Sequence, residues 1–321
     1  MSQQLQQTFL ESLANLEVPV MVAPMFLVSG PKLLLAACRA GVIGSLPLPN
    51  ARNITILEGW LEEVKQGIAL LEQTQKRSVP WLLNMIVHRT YDRFDAELEL
   101  VREYQPPLVT TALGSPKRVV ADVHRYGGAV FADVTNVTLA KKAVDAGVDG
   151  LILVSHGAGG HTGLHNPFAL IAEVRQFWSG PIALSGAMMN GRDILAAKVL
   201  GADLAVMGTR FIGAEESLVV DQYRQMLLDA NLDDIILSDQ ISGVPANWLR
   251  ASLESGGVTL NVDQPSKINF SGNISDDKRA WRDIWSAGEG VGQIKDLGTV
   301  ADIVAQLSAE YQQAKAKVID Y

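Results

Sequence analysis

"PIALSGAMMNGRDILAAKVLGADLAVMGTRF", residues 181–211, holds two short apolar runs with a helix-length segment between them. The runs, PIALSG and LAVMG, are close to continuous in hydrophobicity, as strands buried on both faces are. The segment between, GRDILAAKVLG, has helical spacing and ends in Gly201, the usual step from a helix to the next strand. The stretch therefore predicts a strand, a helix and a second strand in one βαβ unit.

The unit recurs along the chain. Apolar runs at 18–25, 42–47, 79–87, 107–113, 128–135 and 150–155 bring the total to eight, and PKLLLAACRAG (31–41) and LAKKAVDAG (139–147) are further helical segments that end in Gly. Eight β-then-α units predict an α/β fold, a TIM (β/α)8 barrel. A doubly wound sheet is the alternative. It would more often carry fewer strands and a GxGxxG turn after the first, where this chain reads APMFLVSG. Beyond residue 211 the pattern changes to helical spacing, then to a Gly-, Ser-, Asn- and Asp-rich stretch, and closes on TVADIVAQLSAEYQQAKAKVID. We expect the barrel over 1–211, a smaller, mostly helical substrate-side lobe over 212–290, and a C-terminal helix over 291–321 that returns to the barrel.

Bulk properties narrow the function. The 321 residues are 48% hydrophobic and 19% charged, with a net charge of −8 and a mean hydropathy of +0.14. The acidic balance argues against a nucleic-acid partner. No apolar run approaches the roughly 20 residues that span a bilayer, so no membrane partner is expected. The single cysteine, Cys38, excludes an internal disulfide framework. The opening MSQQLQQTFLESLANLE has no basic region followed by an apolar run, which predicts a cytoplasmic protein. The Asn-x-Ser/Thr matches at Asn53, Asn136 and Asn273 are then chance matches.

In such a barrel the working groups lie at the C-terminal strand ends. Gly186 and Gly208, with the Thr209 hydroxyl, follow the seventh and eighth runs, the usual phosphate site of these barrels; plain turn glycines are the alternative. After the sixth run, SHGAGGHTGLH carries three of the chain's five histidines. No Asp, Glu or Cys lies between Asp149 and Glu173, so no metal is expected there. The glycines suggest close approach of a flat or phosphorylated ligand to the backbone, and a histidine held there is placed for acid–base work. For His156 and His165 we favour a solvent-facing or structural role. Met25 and Phe26 would line a ring system or pack in the core. Asn84 would hydrogen-bond a ligand or be buried for structure. Asp133 would bind, catalyse or cap the next helix, and we favour the cap.

At this point a resemblance is clear. APM at the first strand, AGGHTG after the sixth, the SGAMMNGRDILAAKVLGADLAVMGTRF stretch and SAGEGVGQIKDL near the end resemble nitronate monooxygenases, formerly 2-nitropropane dioxygenases. The resemblance runs from about 18 to 310 and is most specific over 158–213. It implies an FMN-bound TIM barrel whose loop histidine, here His161, is the catalytic base. By position, Gly159, Gly160, Gly186, Ala187, Gly208 and Thr209 would hold the FMN phosphate. Pro24, Met25 and Phe26 would lie along the isoalloxazine, with Asn84 also at the flavin. The partners implied are a nitronate or nitroalkane and O2, and a homodimer is compatible with it. The chain departs from the family pattern at Val154, Ser155, His156 and Gly157, where Gln-Gly-x-Glu is usual. It departs again at Ala187, where a second Gly is usual, and at Glu289, where Gln is usual.

The implied reaction is oxidation of alkyl nitronates by O2 to a carbonyl compound and nitrite, with His161 removing the α-proton of a neutral nitroalkane. The rival is an FMN- and NAD(P)H-dependent enoyl-thioester reductase of the type II kind, which shares the barrel and the Gly-Gly-His loop. A flavin-binding barrel without turnover is a third reading. A dehydrogenase like that for inosine monophosphate needs a nucleophilic Cys in a barrel loop, and Cys38 lies mid-helix in LLLAACRAG.

Overall fold

The computed structural model describes residues 13, 15–76, 80–260 and 279–319. Asn273 lies outside the described residues.

Eight parallel strands form one sheet in the order β1 (Val20–Val22), β9 (Leu204–Met207), β8 (Ile182–Ser185), β6 (Gly150–Val154), β5 (Ala129–Val134), β4 (Leu108–Ala112), β3 (Trp81–Ile86) and β2 (Gly44–Pro47). A parallel bridge from Met21 to Ile43 brings the last strand back to the first. Helices alternate with the strands: α1 (Pro31–Arg39), α2 (Ile54–Gln75), α3 (Phe94–Tyr104), α4 (Lys117–Arg125), α5 (Val137–Asp145), α6 (Pro167–Val174), α7 (Gly191–Leu200) and the short α8 (Thr209–Ile212). This is the TIM barrel that the eight apolar runs predict.

The runs lack polar alternation because both strand faces are buried. Met21, Leu82, Phe131, Ile152 and Val206 fill the barrel interior, whereas Val20, Leu83, Val130, Leu153 and Met207 pack outward under the helices. Register explains why β6 opens on glycine. Gly150 lies beside Phe131 across the ladder, and a Cβ there would fall onto the Phe131 ring.

Asparagines start four of the barrel helices. The side chains of Asn53, Asn136, Asn166 and Asn190 each accept a hydrogen bond from a first-turn amide, worth about 1 kcal/mol each. At Asn53 and Asn136 the glycosylation-like sequence is thus a helix cap. Asn136 also corrects the favoured reading of Asp133: the cap after β5 is Asn136, three residues on.

After the barrel come α9 (Asp221–Asp229), β10 (Ile235–Ser238), β11 (Ala246–Leu249) and α10 (Arg250–Ser255). Among the described residues this region has more helix than strand, yet its strands build a feature that the sequence reading does not anticipate. β10 pairs antiparallel with β11, and β11 pairs antiparallel with a two-residue strand, β7 (Gly160–His161), from the loop after β6. Trp248, fully buried, anchors this sheet in a core with Ile241, Leu253 and Ile284. The closing helix α11 (Val300–Ile319) buries Val300, Ile303, Val304 and Leu307 in the main core, and Glu310 accepts a 2.9 Å hydrogen bond from the Gly191 amide at the start of α7. No helix among the described residues is long and apolar enough to cross a membrane.

Candidate functional site

A cavity of about 640 Å³ opens at the C-terminal ends of the strands, within the range of small-molecule and cofactor sites. Of the residues expected at the site, Pro24, Met25, Phe26, Asn84, Gly159, Gly160, His161, Gly208 and Thr209 line it.

The first wall is the loop after β1. Asn50 holds it: its Nδ2 donates to the carbonyls of Met25 (2.9 Å) and Ser29 (2.7 Å), and its Oδ1 accepts from the Leu27 amide at 3.0 Å. Ser29 Oγ accepts from the Met25 amide. Met25 and Phe26 are thus presented by a buried polar clamp. Asn84, two residues before the end of β3, is buried, lines the cavity and donates to Thr110 Oγ1 at 3.0 Å.

The second wall carries His161. Its backbone is fixed opposite Ala246 on β11, and Thr162 next to it donates from its amide to the Pro245 carbonyl at 3.0 Å. Trp281 stands edge-on to the imidazole, with centroids 5.1 Å apart and an 88° interplanar angle. Nε2 is buried with no hydrogen-bond partner among the described residues. Burial pulls the imidazole down to about 4, because removing water penalises the charged ring. At neutral pH the ring is uncharged, so one of its nitrogens has a free lone pair that can take a proton.

The floor near β9 offers backbone donors. None of the hydrogen bonds among the described residues takes up the amides of Gly159, Gly208 or Thr209. Thr209 Oγ1 accepts from the Gly288 amide at 2.8 Å, which leaves its own O–H to donate into the cavity. Gly159 has to be glycine, since a Cβ would lie 2.7 Å from the Gly288 nitrogen and 2.9 Å from the Ala287 carbonyl carbon.

Gly186 and Ala187 are elsewhere. Ser185 reaches the cavity wall, but the two residues after it turn away in positive-φ conformations, +145° and +53°. They pack on the loop after β6, where the Ala187 amide donates to the Gly157 carbonyl at 3.3 Å. Glu289 meets the same point: its amide donates to that carbonyl at 3.0 Å, and its carboxylate lies 3.3 Å from His156 Nδ1. The departures from the family pattern at His156, Gly157, Ala187 and Glu289 therefore touch one another. His156 and His165 are exposed and outside the cavity, joined by a 2.9 Å hydrogen bond from the His156 amide to the His165 carbonyl.

Three site residues escaped the sequence reading or were misassigned by it. Asn50 and Trp281 give no periodic signal. Asp133 lines the cavity instead of capping a helix. Cys38 is buried in α1, where burial pushes its thiol up to about 12, so it is an inert core residue. Among the described residues no three His, Cys, Asp or Glu side chains converge to hold a metal.

Comparison with known proteins agrees with this architecture. The family model described as nitronate monooxygenase matches residues 7–310. The chain is 26% identical to a nitronate monooxygenase of Paraburkholderia phytofirmans, covering 94% of each chain. It is 27% identical to a Rhodococcus jostii (3aS,4S,5R,7aS)-5-hydroxy-7a-methyl-1-oxo-octahydro-1H-indene-4-carboxyl-CoA dehydrogenase, over 84% of this chain and 69% of the relative. Its backbone matches the structure of FabK from Thermotoga maritima with a TM-score of 0.78 over 98% of both chains, at 23% identity, a likeness of fold alone. A barrel whose glycine-loop histidine faces a cofactor-sized cavity, matched by the family model over nearly its whole length, identifies the chain as an oxidoreductase of the nitronate monooxygenase family, which is flavin-dependent in general.

Proposed function

We propose that the protein oxidises alkyl nitronates with O2 to a carbonyl compound and nitrite, using FMN. The observation that carries this reading is His161: an uncharged imidazole with an unpartnered buried nitrogen, aimed into the cavity. The cavity suits the cofactor. The amides of Gly159, Gly208 and Thr209 with the Thr209 hydroxyl would bind the phosphate, as backbone donors at strand ends bind anions. Met25 and Phe26 would lie along the ring system, beside Asn84. When bound, FMN supplies the electron acceptor. The chain's own contribution is to hold the substrate beneath the edge contact of Phe26 with Trp281, whose ring centroids are 6.0 Å apart, and to let His161 Nε2 take the α-proton of a nitroalkane. Gly160, in the β7 pairing, fixes the backbone on which His161 stands.

Three arginines line the cavity, Arg52, Arg279 and Arg282, the last ion-paired with Asp283; they support a second reading, a reductase of acyl thioesters whose phosphorylated carrier would seat on them. One preparation separates the two. A protein with a flavin spectrum that consumes O2 and releases nitrite on addition of propionate 3-nitronate supports the oxidation. Rapid bleaching by NAD(P)H without O2 supports the reductase instead. A colourless protein that cannot be reconstituted with FMN would remove both.

A further inference from the structure

Asp133 is a carboxyl without a partner in the wall of the cavity. It stands two residues beyond Phe131 on β5, on the same inward face, one layer nearer the mouth. No hydrogen bond or ion pair among the described residues uses it, and its Oδ1 is shielded from solvent. The helix cap nearby is Asn136. Burial, with no neighbouring charge to offset it, raises the carboxyl to about 7. Buried polar groups are almost always paired, and an unpaired one is costly unless a ligand completes it.

Its place in the ring of strands says which part of a ligand it meets. In the closed order, the free amides of Gly208 and Thr209 follow β9, whereas β5 lies three strands away, on the far side of the mouth. Asn84, on β3, is on that far side too. A cofactor seated by its phosphate at β9 would extend its ring toward these two residues. A neutral carboxyl presents a donor and an acceptor side by side. The matching partner is an adjacent N–H and C=O, the edge that a flavin's pyrimidine ring offers.

We propose that Asp133 is a ligand-contacting residue that pairs, as a neutral carboxyl, with the imide edge of the bound flavin ring. The assignment rests on the cofactor reading above. Apoprotein is titrated with FMN and, separately, with riboflavin, following the quenching of flavin fluorescence. Asp133→Ala is expected to weaken both by the same factor, about tenfold, since the contact is to the ring. Asp133→Asn, whose amide also presents a donor beside an acceptor, is expected to stay within about threefold of wild type. Thermal melts of the apoproteins establish folding, and neither variant is expected to melt below wild type. An alanine variant that binds both flavins as tightly as wild type, or loses FMN alone, would overturn the assignment. An asparagine variant as weak as alanine would overturn the neutral pairing. A wild-type protein that takes up neither flavin would overturn the cofactor reading and this assignment with it.

Discussion

His161 makes a two-part prediction about pH and substitution. An imidazole held at about 4 is protonated in roughly one molecule in a thousand at pH 7 and one in ten at pH 5. The base is therefore ready across the neutral range, and kcat/KM with a neutral nitroalkane should stay level from pH 8 to about 5. The same burial has a stability consequence. The unfolded ring takes a proton below about 6.5 and the folded one does not, so stability present above 6.5 is lost as pH falls toward 4, by at most about 3 kcal/mol. His161→Asn keeps a polar group of similar reach and removes the base. It should lower kcat/KM for the nitroalkane by about 10²–10⁴-fold. A preformed nitronate needs no proton removed and should lose less than about tenfold. Oxygen uptake with the two substrates, from pH 4.5 to 8, reads both parts. An acidic limb near 6.5 in the wild type, or equal rates of variant and wild type on both substrates, would refute the reasoning.

Other substitutions test other layers of the account. Asp133→Asn should raise the Tm of the apoprotein at pH 8 and change it little at pH 4: the folded carboxyl titrates near 7 and the unfolded near 3.8, so its burden grows as pH rises between them, to at most about 4 kcal/mol. Gly150→Ala should cost about 1–3 kcal/mol by driving a methyl into the Phe131 ring; adding Phe131→Leu should recover part of that loss in urea unfolding, whereas additive losses would contradict the packing. Ala187→Gly should stabilise the protein by about 1 kcal/mol, since φ of +53° strains alanine and not glycine, and an unchanged urea midpoint would count against that turn.

The barrel is legible in the sequence because its strands are buried on both faces, so each appears as an uninterrupted apolar run. The same physics hides the second sheet. β7 is two residues, Gly160 and His161, with no strand propensity, and its partner β11 lies far along the chain. Nor does local pattern show that Trp281 comes back over His161, or that Asn50 ties down the loop of Met25. An Asp at a strand end suits a helix cap as well as a ligand, and only the cap at Asn136 shows that Asp133 is free to face the cavity. The family resemblance places Gly186 and Ala187 with the phosphate-binding residues. In space they turn toward Gly157 and Glu289, so four of the departures, His156, Gly157, Ala187 and Glu289, form one packed cluster.

In the proposed function this cavity carries a flavin that nitronate, and not nicotinamide, reduces. Mixing the flavin-loaded protein anaerobically with propionate 3-nitronate and, separately, with NADH and NADPH tests it most directly. The nitronate is expected to perturb the flavin's visible band within the turnover time, and neither nicotinamide is. Rapid bleaching by NADH or NADPH with no response to the nitronate would contradict it.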